Sequence, residues 1–487
     1  MMRSFGLKIG FFLAAFLCMT IIMLLPSPEP LQRAGEQIPL VWQAKATLAL
    51  LIAAIILWIT EVIPFSVTAL LIMLLIPVFG IEPFKEVIRT GFGNPIIAFF
   101  IGVLILSSAF SRSGFGNRLS YLILFVTGSK TKMVILGFLI AGTLLSMWIT
   151  DMAVAAILMP LGAALLRKTG VKPLESNFGK ALMISCAWGP LFGGIATPAG
   201  CGPNPLAIGF LRELAKIDIT FLQWMALGLP AALLMIPAGW LVLIFFFPPE
   251  IERIPFERPE IRHRLAEMGR LQVKERWTLV IFLLTIAGWL LTPCVASLTG
   301  GTIAMPMQAI ALGGAVLLFF PGIEVLSWKE AQADVDWGGI VLICAGIAIG
   351  MAVYHTGAAR WLSWVFLGPL VQLPGVVRVF VIVAGVSVLH LAFSSNTVTG
   401  TIIIPLLIAL AADLHINPWL ICAPAAFSSS LAFILVTETP TNVIPYSAGY
   451  FAIRDMARAG IAMTLAAALC VGFSIHVFGR LGGIYGM

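Results

Sequence analysis

Apolar runs long enough, or nearly long enough, to cross a lipid bilayer recur from one end of the sequence to the other. A transmembrane helix needs about 20 such residues. The runs fall around residues 8–26, 46–59, 64–81, 95–111, 179–196, 225–248, 277–296, 303–320, 338–354, 418–436 and 456–479. Hydrophobic residues make up 60% of the chain and charged residues only 10%, too few polar side chains to cover a water-facing surface. The sequence therefore predicts an all-α polytopic membrane protein.

Two further apolar regions, about 131–167 and 374–412, are interrupted near their centres by polar residues. The interruptions are Thr150-Asp151 in the first region and Ser394 to Thr397 in the second. Each region is long enough for two half-helices that meet at a polar tip. Irregular backbone at membrane depth is tolerated only where protein or a water-filled cavity surrounds it. We therefore expect about 11 transmembrane helices plus two re-entrant hairpins.

One long hydrophilic stretch, 250–276, contains seven Arg and Lys residues. Basic residues collect in cytoplasmic loops of membrane proteins, which accounts for the net charge of +7 without nucleic-acid binding. We place this loop in the cytoplasm, the uncharged segment 294–306 outside, and the protein in a bacterial inner (plasma) membrane. Residues 9–25 are expected to form a first transmembrane helix, because no small-x-small cleavage site follows, as a signal peptide requires.

Segments in the first half of the chain resemble segments in the second half. Three pairs of segments match in the same order at offsets of 243, 245 and 238, namely 113–120 with 356–363, 150–161 with 395–406, and 200–204 with 438–442. An internal repeat, which we expect to be inverted, explains the order. The predicted division is an N-terminal helix and outer loop (1–45), a first repeat (46–248), a basic linker (249–276) and a second repeat (277–487).

Each repeat supplies two groups of polar residues. The hairpin tips carry Ser146, Thr150 and Asp151 in one half and Ser394, Ser395, Asn396 and Thr397 in the other; the helices broken by Gly or Pro read GCGPN at 200–204 and ETPTN at 438–442. Freed carbonyls, hydroxyls and amide oxygens suit a hard cation such as Na⁺, and N–H groups at half-helix N-termini suit an anion. These residue types are also ordinary N-caps. Four such groups at repeat-related positions favour a transporter's binding site at the membrane midplane.

These segments resemble the divalent-anion/sodium symporter family of dicarboxylate and citrate carriers. SSNT at 394–397 is similar to its second Ser-Asn-Thr signature, and MWITDMAVAAILMPL at 147–161 occupies the place of the first. GGIATPAGCGPN at 193–204, TETPTN at 437–442 and WITEVIPFSVTALL at 58–71 are similar to further family segments. The resemblance implies 11 spans, two hairpins, a homodimer through scaffold domains and an elevator motion of the transport domain.

The resemblance also implies site residues. The first sodium site would use Ser146, Thr150, Asp151 and Gly200, and the second Ser394, Asn396 and Glu438. The substrate carboxylates would meet Asp151, Met152, Cys201 and Gly202 on one side, and Asn396, Thr397, Thr439 and Pro440 on the other.

The sequence departs from the family pattern mainly in its first half. Asp151 stands where the family has Asn, Met152 replaces Thr, and Cys201-Gly202 replaces Thr-Pro; in the second half, Glu438 replaces a small residue. A bare carboxylate at Asp151 would repel a substrate carboxylate at ~4 Å by about 4 kcal/mol at an effective dielectric near 20.

Three interpretations avoid this repulsion between carboxylates, and the sequence leaves all three open. Asp151 is neutralised by bound Na⁺, or it is protonated because burial disfavours the charged form and so couples transport to H⁺. Alternatively, the substrate has one anionic end, held by Asn396 and Thr397, and a neutral or cationic end near Asp151. Because Asp151 and Glu438 both fall at expected cation positions, we favour a cation or proton role for both.

The predicted function is secondary active transport of small organic anions, di- or tricarboxylate-like, coupled to Na⁺ or H⁺. The alternative is an inorganic-ion transporter, a Na⁺/H⁺ antiporter or oxyanion exporter, with Asp151 as proton carrier; the Ser395-Asn396-Thr397 sequence favours the organic anion. We expect no enzymatic activity and no organic cofactor, since neither a nucleophile–base set nor a His-Glu-x-x-His motif is present. His390 is expected to be a hydrogen-bonded core residue, and Glu61 an interfacial or scaffold residue.

Overall fold

Helices form at the predicted apolar runs in the computed structural model, which describes residues 2–33, 36–254, 262–263, 266–300, 302 and 305–481. Several predicted segments fall partly outside these residues. They are the outer loop at 34–35, the basic linker at 255–261 and 264–265, the segment expected outside at 301 and 303–304, and the C-terminus at 482–487.

The first half of the chain, up to the basic linker, is built from eleven helices. They are α1 (Met2–Leu24), α2 (Trp42–Thr60), α3 (Phe65–Val78), α4 (Phe84–Gly91), α5 (Pro95–Arg112), α6 (Phe115–Thr127), α7 (Thr131–Ser146), α8 (Asp151–Thr169), α9 (Asn177–Gly194), α10 (Pro203–Ala215) and α11 (Phe221–Phe246). A short antiparallel ribbon, Leu31–Arg33 paired with Glu36–Ile38, lies in the loop after α1. The sequence prediction had only a loop there.

The second half follows the same plan. Its helices are α12 (Val273–Leu298), α13 (Met307–Leu317), α14 (Trp328–Asp334), α15 (Trp337–His355), α16 (Ala358–Leu362), α17 (Gly375–His390), α18 (Asn396–Asp413), α19 (Trp419–Ser428), α20 (Pro440–Tyr446) and α21 (Ile453–Leu481). A π turn (Ser363–Leu367) and a 3₁₀ turn (Gly368–Gln372) continue α16, and a second 3₁₀ turn (Val436–Glu438) precedes α20. Helices α4, α6, α14 and α16 are short and were not predicted.

Both predicted hairpins are present as two helices separated by a short break. Helix α7 ends at Ser146 and α8 begins at Asp151, after Thr150 adopts extended backbone. Helix α17 ends at His390 and α18 begins at Asn396, after an extended Ser395. Both breaks therefore fall at the polar residues that interrupt the apolar pattern.

Both predicted broken helices are present as well. Helix α9 ends at Gly194, and α10 resumes at Pro203, where the missing N–H of proline costs nothing. The predicted run 418–436 is shorter than expected: α19 ends at Ser428, and the next residues up to the 3₁₀ turn are irregular. Apolar composition alone did not reveal that break, because residues 431–435 stay apolar in an irregular segment surrounded by protein.

Two glycines end long helices at matching positions in the two halves. Gly114, after α5, has φ +81°, and Gly357, after α15, has φ +82°. Glycine adopts this left-handed backbone at little cost. The two positions correspond in the 113–120 and 356–363 match, so the same turn recurs at the predicted repeat offset. The boundaries of the repeats themselves stay a prediction.

The helices pack as an inner and an outer group. In the inner group (α7–α11 and α17–α21) each hairpin packs against the broken helix of its own half, and α8 and α10 also contact α20 and α18 from the other half. In the outer group (α1–α5 and α12–α15), α13 packs on α5 and α15 on α3. Helix α15 also contacts α18, so the two groups meet beside the hairpin tips.

Candidate functional site

A cavity of ≈ 770 Å³ lies where the two helix groups meet. Both hairpin tips and both broken helices contribute to one wall, and α3, α5, α14 and α15 contribute to the other. Every residue predicted to contact substrate lines this cavity: Asp151, Met152, Cys201, Gly202, Asn396, Thr397, Thr439 and Pro440. Of the predicted cation ligands, Thr150, Asp151, Ser394 and Asn396 line it, whereas Ser146, Gly200 and Glu438 lie behind the wall.

Asp151 is the first residue of α8 and is 8% exposed. Its Oδ1 accepts a hydrogen bond from the backbone N–H of Met152 at 2.8 Å. Its Oδ2 lies 3.6 Å from the thiol sulfur of Cys201. The carboxylate therefore occupies the N-terminal end of a half-helix, where the helix dipole favours negative charge.

Cys201 connects the two hairpin tips. Its sulfur accepts a hydrogen bond from Asn396 Nδ2 at 3.2 Å. The adjacent Gly202 packs against the second tip so closely that a Cβ there would lie 2.5 Å from Thr397 Oγ1. Residues separated by about half the chain thus form one continuous surface.

Asn204 and Asn442 hold the two helix breaks in the same way. Asn204 Nδ2 donates to the carbonyls of Gly194 (2.7 Å) and Thr197 (2.8 Å). Asn442 Nδ2 donates to the carbonyls of Ala432 (2.8 Å) and Leu435 (3.0 Å), the residues at the corresponding offsets. Each amide closes its loop, and each leaves its own Oδ1 buried. Both asparagines belong to the predicted polar groups, but this role was not predicted.

Four buried side-chain oxygens near the breaks have no hydrogen-bond partner among the described residues: Ser146 Oγ, Asn204 Oδ1, Asn396 Oδ1 and Asn442 Oδ1. In the first half, Gly200 packs against this group, since a Cβ on it would lie 2.7 Å from the Ser146 carbonyl oxygen. An unpaired buried acceptor costs about 1–3 kcal/mol. Hydroxyl, amide and carbonyl oxygens gathered in this way fit a bound Na⁺.

Two predicted cation ligands in the second half make other contacts. The Glu438 carboxylate accepts hydrogen bonds from the backbone N–H groups of Leu435 (2.9 Å) and Ile434 (3.4 Å), within its own loop. The Ser394 hydroxyl donates to the carboxylate of Glu61, which follows α2. Glu61 thus ties a hairpin tip to the outer helix group.

His390 is buried beside Asn396 and the backbone of Glu438. The expectation of a core histidine is confirmed by this burial, and the Asn396 side chain and the Glu438 backbone are hydrogen-bonding groups beside its ring. The ring packs behind the second hairpin tip rather than lining the cavity.

The outer wall of the cavity was not predicted. Arg112, the last residue of α5, pairs with Asp334 through Nε–Oδ2 (2.5 Å) and Nη2–Oδ1 (2.8 Å), and Ser108 donates to the same carboxylate at 2.6 Å. The hydrogen bond from Arg112 lowers the pKa of Asp334 below its ordinary value. Asp336 caps α15 by accepting from the N–H of Gly339 at 2.9 Å. The signal available in the sequence was a polar end, Ser107 to Arg112, on an otherwise apolar run.

The chain is similar to known transport proteins over nearly its full length. The sodium:sulfate symporter transmembrane region matches residues 8–482. The sodium-dependent dicarboxylate transporter SdcS of Staphylococcus saprophyticus is 30% identical over 425 residues, 84% of this chain and 81% of that protein. SdcS of Staphylococcus aureus is 28% identical over 447 residues, 88% of this chain and 85% of that protein.

Two solved structures share the fold at low sequence identity. The YdaH transporter of Alcanivorax borkumensis has a TM-score of 0.61 at 15% identity, with 98% of both chains covered. MtrF of Neisseria gonorrhoeae has a TM-score of 0.53 at 14% identity, with 96% of this chain and 94% of the other covered. The helix architecture is thus that of membrane transporters, and, because the family match extends through both hairpins and both broken helices, the chain belongs to the sodium:sulfate symporter transmembrane family.

Proposed function

We propose that this protein is a secondary active transporter that carries a small organic anion across a bacterial inner membrane, driven by Na⁺. The observation that carries the proposal is the set of buried oxygens without a hydrogen-bond partner among the described residues, at the two hairpin tips (Ser146 Oγ and Asn396 Oδ1) and the two helix breaks (Asn204 Oδ1 and Asn442 Oδ1). Relatives described as sodium-dependent dicarboxylate transporters support the same ion and a carboxylate substrate.

In this mechanism the substrate carboxylate and Na⁺ bind at different places around the hairpin tips. At the start of α18, Asn396 and Thr397 line the cavity with an amide and a hydroxyl, so a substrate carboxylate binds there with the helix dipole in its favour. Na⁺ binds behind each tip, where its charge strengthens anion binding in front. Cation and substrate therefore stabilise each other's binding, which is the thermodynamic requirement for coupling.

We further propose that transport proceeds by an elevator motion of the inner helix group relative to the outer group. Helices α6 and α16 join the groups, and each is preceded by a glycine in left-handed backbone, Gly114 and Gly357. Helix α12 presents exposed apolar side chains such as Leu283, Leu284 and Leu291, a surface suited to lipid or to a second copy in a homodimer.

We also propose that the basic linker 249–276 lies in the cytoplasm and that no organic cofactor takes part in transport.

Uptake of labelled succinate into proteoliposomes tests the proposal. We expect uptake with an inward Na⁺ gradient and none when K⁺ replaces Na⁺. Asn396→Ala should abolish uptake, whereas Asn177→Ala, which removes a partly exposed amide at the start of α9, should retain it. Uptake driven equally by a proton gradient without Na⁺ would contradict Na⁺ coupling, and transport of sulfate but of no carboxylate would favour the inorganic-ion alternative.

A further inference from the structure

We propose, resting on the function proposed above, that the substrate carries a single carboxylate and that the group at its other end donates hydrogen bonds to Asp151. The two halves of the site would then bind chemically different ends of one molecule. The substrate class is a short monocarboxylate with an ammonium or amide group at the far end, rather than a dicarboxylate.

The first observation concerns the helix end that a second substrate carboxylate would need. In the first half this place is already taken, because Asp151 Oδ1 accepts the hydrogen bond from the Met152 N–H. The protein's own carboxylate therefore uses the positive end of α8. A substrate carboxylate arriving there would meet the like charge of Asp151.

The second observation concerns the neighbours of Asp151. Met152 and Gly202 have no side-chain donor, and the Cys201 thiol lies between Asp151 and Asn396. Arg112 is the only cation among the described residues that line the cavity, and it is engaged by Asp334 through two hydrogen bonds. The Thr441 side chain also hydrogen-bonds to the Asp151 carboxylate, but hydroxyl and thiol donors leave its negative charge in place. No described residue of the lining neutralises that charge, so a donor group on the ligand is a suitable partner for the carboxylate.

The third observation is the charge of the whole cavity. Its described lining contains the carboxylates of Asp151, Asp334 and Asp336 against the single guanidinium of Arg112. The second hairpin tip and the second broken helix, in contrast, line the cavity with uncharged amide and hydroxyl groups at Asn396, Thr397 and Thr439. The second tip therefore accepts negative charge, whereas Asp151 at the first tip disfavours it.

Three ligands of nearly equal length separate these possibilities: succinate, its monoamide succinamate, and 4-aminobutyrate. Binding is compared as the ligand concentration that produces a fixed rise in the apparent Tm of the purified full-length protein in NaCl. We expect succinamate and 4-aminobutyrate to produce this rise at concentrations at least about tenfold below that of succinate, because a repulsion between charges is removed. The ranking of the unmodified protein is informative by itself.

Two variants locate the effect. Asp151→Asn should reverse the order in favour of succinate, and a Na⁺-dependent thermal shift without substrate shows that this variant is folded and keeps its cation site. Asp218→Asn is the matched control, since it removes a largely exposed carboxylate that does not line the cavity. It should keep the order of the unmodified protein.

The outcomes separate this proposal from the proposed function. A preference for succinate in the unmodified protein, with Na⁺-dependent protection, would overturn the single-carboxylate proposal, leave Na⁺-coupled anion transport standing and favour neutralisation of Asp151 by Na⁺. An unchanged order in Asp151→Asn, or a reversal in Asp218→Asn, would also overturn it. If none of the three ligands protects the protein, the proposed function fails, and this proposal fails with it.

Discussion

The matched asparagines Asn204 and Asn442 give the sharpest test of how the site is held together. Asn204→Ala removes two amide hydrogen bonds, at 2.7 and 2.8 Å, and leaves the carbonyls of Gly194 and Thr197 buried without these donors. The orphaned Gly194 carbonyl costs about 1–3 kcal/mol, and the lost bond to Thr197, whose carbonyl still accepts from the Gly200 N–H at 3.4 Å, costs about 0.5–1.5 kcal/mol. The ordered loop therefore loses about 1.5–4.5 kcal/mol, and even the lower value corresponds to roughly tenfold in a half-saturating concentration.

The assay is the Na⁺ concentration that half-saturates succinamate or succinate uptake, whichever the unmodified protein accepts. We expect this concentration to rise at least about tenfold in Asn204→Ala and in Asn442→Ala, because Na⁺ must reorder the loop as well as bind. Substrate affinity at saturating Na⁺ should change much less. Asn177→Ala, whose amide makes one longer hydrogen bond of 3.3 Å to Pro248, serves as the control.

Either of two results would refute this reasoning. If both asparagine variants keep the Na⁺ dependence of the unmodified protein, the amides do not maintain a cation site. If only one variant is affected, the structural equivalence of the two loops does not extend to function. A loss of folded protein in one variant is recognised by its elution in size-exclusion chromatography, and the other variant still decides the question.

Three further predictions concern parts of the fold outside the cavity. Arg118→Met should lower the apparent Tm strongly, because it breaks the salt bridge of 2.9 Å with Glu275, whose side chain is 3% exposed. Removing one member of a buried ion pair costs about 3–5 kcal/mol. Adding Glu275→Gln should recover part of the lost stability. Gly357→Ala should destabilise by about 1 kcal/mol and slow uptake more than it weakens binding, because alanine disfavours φ +82°; equal effects on both would contradict a hinge. Burial raises the pKa of Glu250, but hydrogen bonds from the Ser176 hydroxyl and nearby backbone N–H groups outweigh it, so the pKa lies below its ordinary 4.5. The ionised form is therefore favoured by folding, and its stabilisation, present at neutral pH, should disappear as the pH falls through that lowered value; Glu250→Gln should lower Tm near neutral pH and converge with the unmodified protein in acid.

The hairpins and broken helices could be predicted from the sequence because their signals are local. A polar interruption inside an apolar region, as at Thr150-Asp151, marks a hairpin tip, since isolated polar backbone is not tolerated in lipid. Gly and Pro near Pro203 and Pro440 mark helix breaks for an equally local reason. The offset between the halves then indicated which of these features belong to one site.

The outer wall could not be predicted because its contacts depend on tertiary packing. Arg112 and Asp334 are separated by 222 positions, and no local pattern indicates that α5 and α14 lie side by side. Helix α14 is short and carries no apolar run, so hydropathy gives it no signal. The role of Asn204 could not be predicted for a related reason. Its hydrogen-bond partners are backbone carbonyls, and because every residue has one, the sequence does not indicate which of them it contacts.

The two halves of the site are alike in some residues and different in others, and this pattern indicates which role each set of residues has. The asparagines that hold the loops are alike: Asn204 and Asn442 each bind the carbonyls of the residues ten and seven positions earlier. The residues that face the cavity differ, since Asp151 carries a carboxylate where Asn396 carries an amide. A requirement shared by both halves, such as a cation site behind each tip, keeps the loop geometry symmetric. A substrate with unlike ends requires unlike tips, so the asymmetry at Asp151 is better explained by the substrate than by the cation.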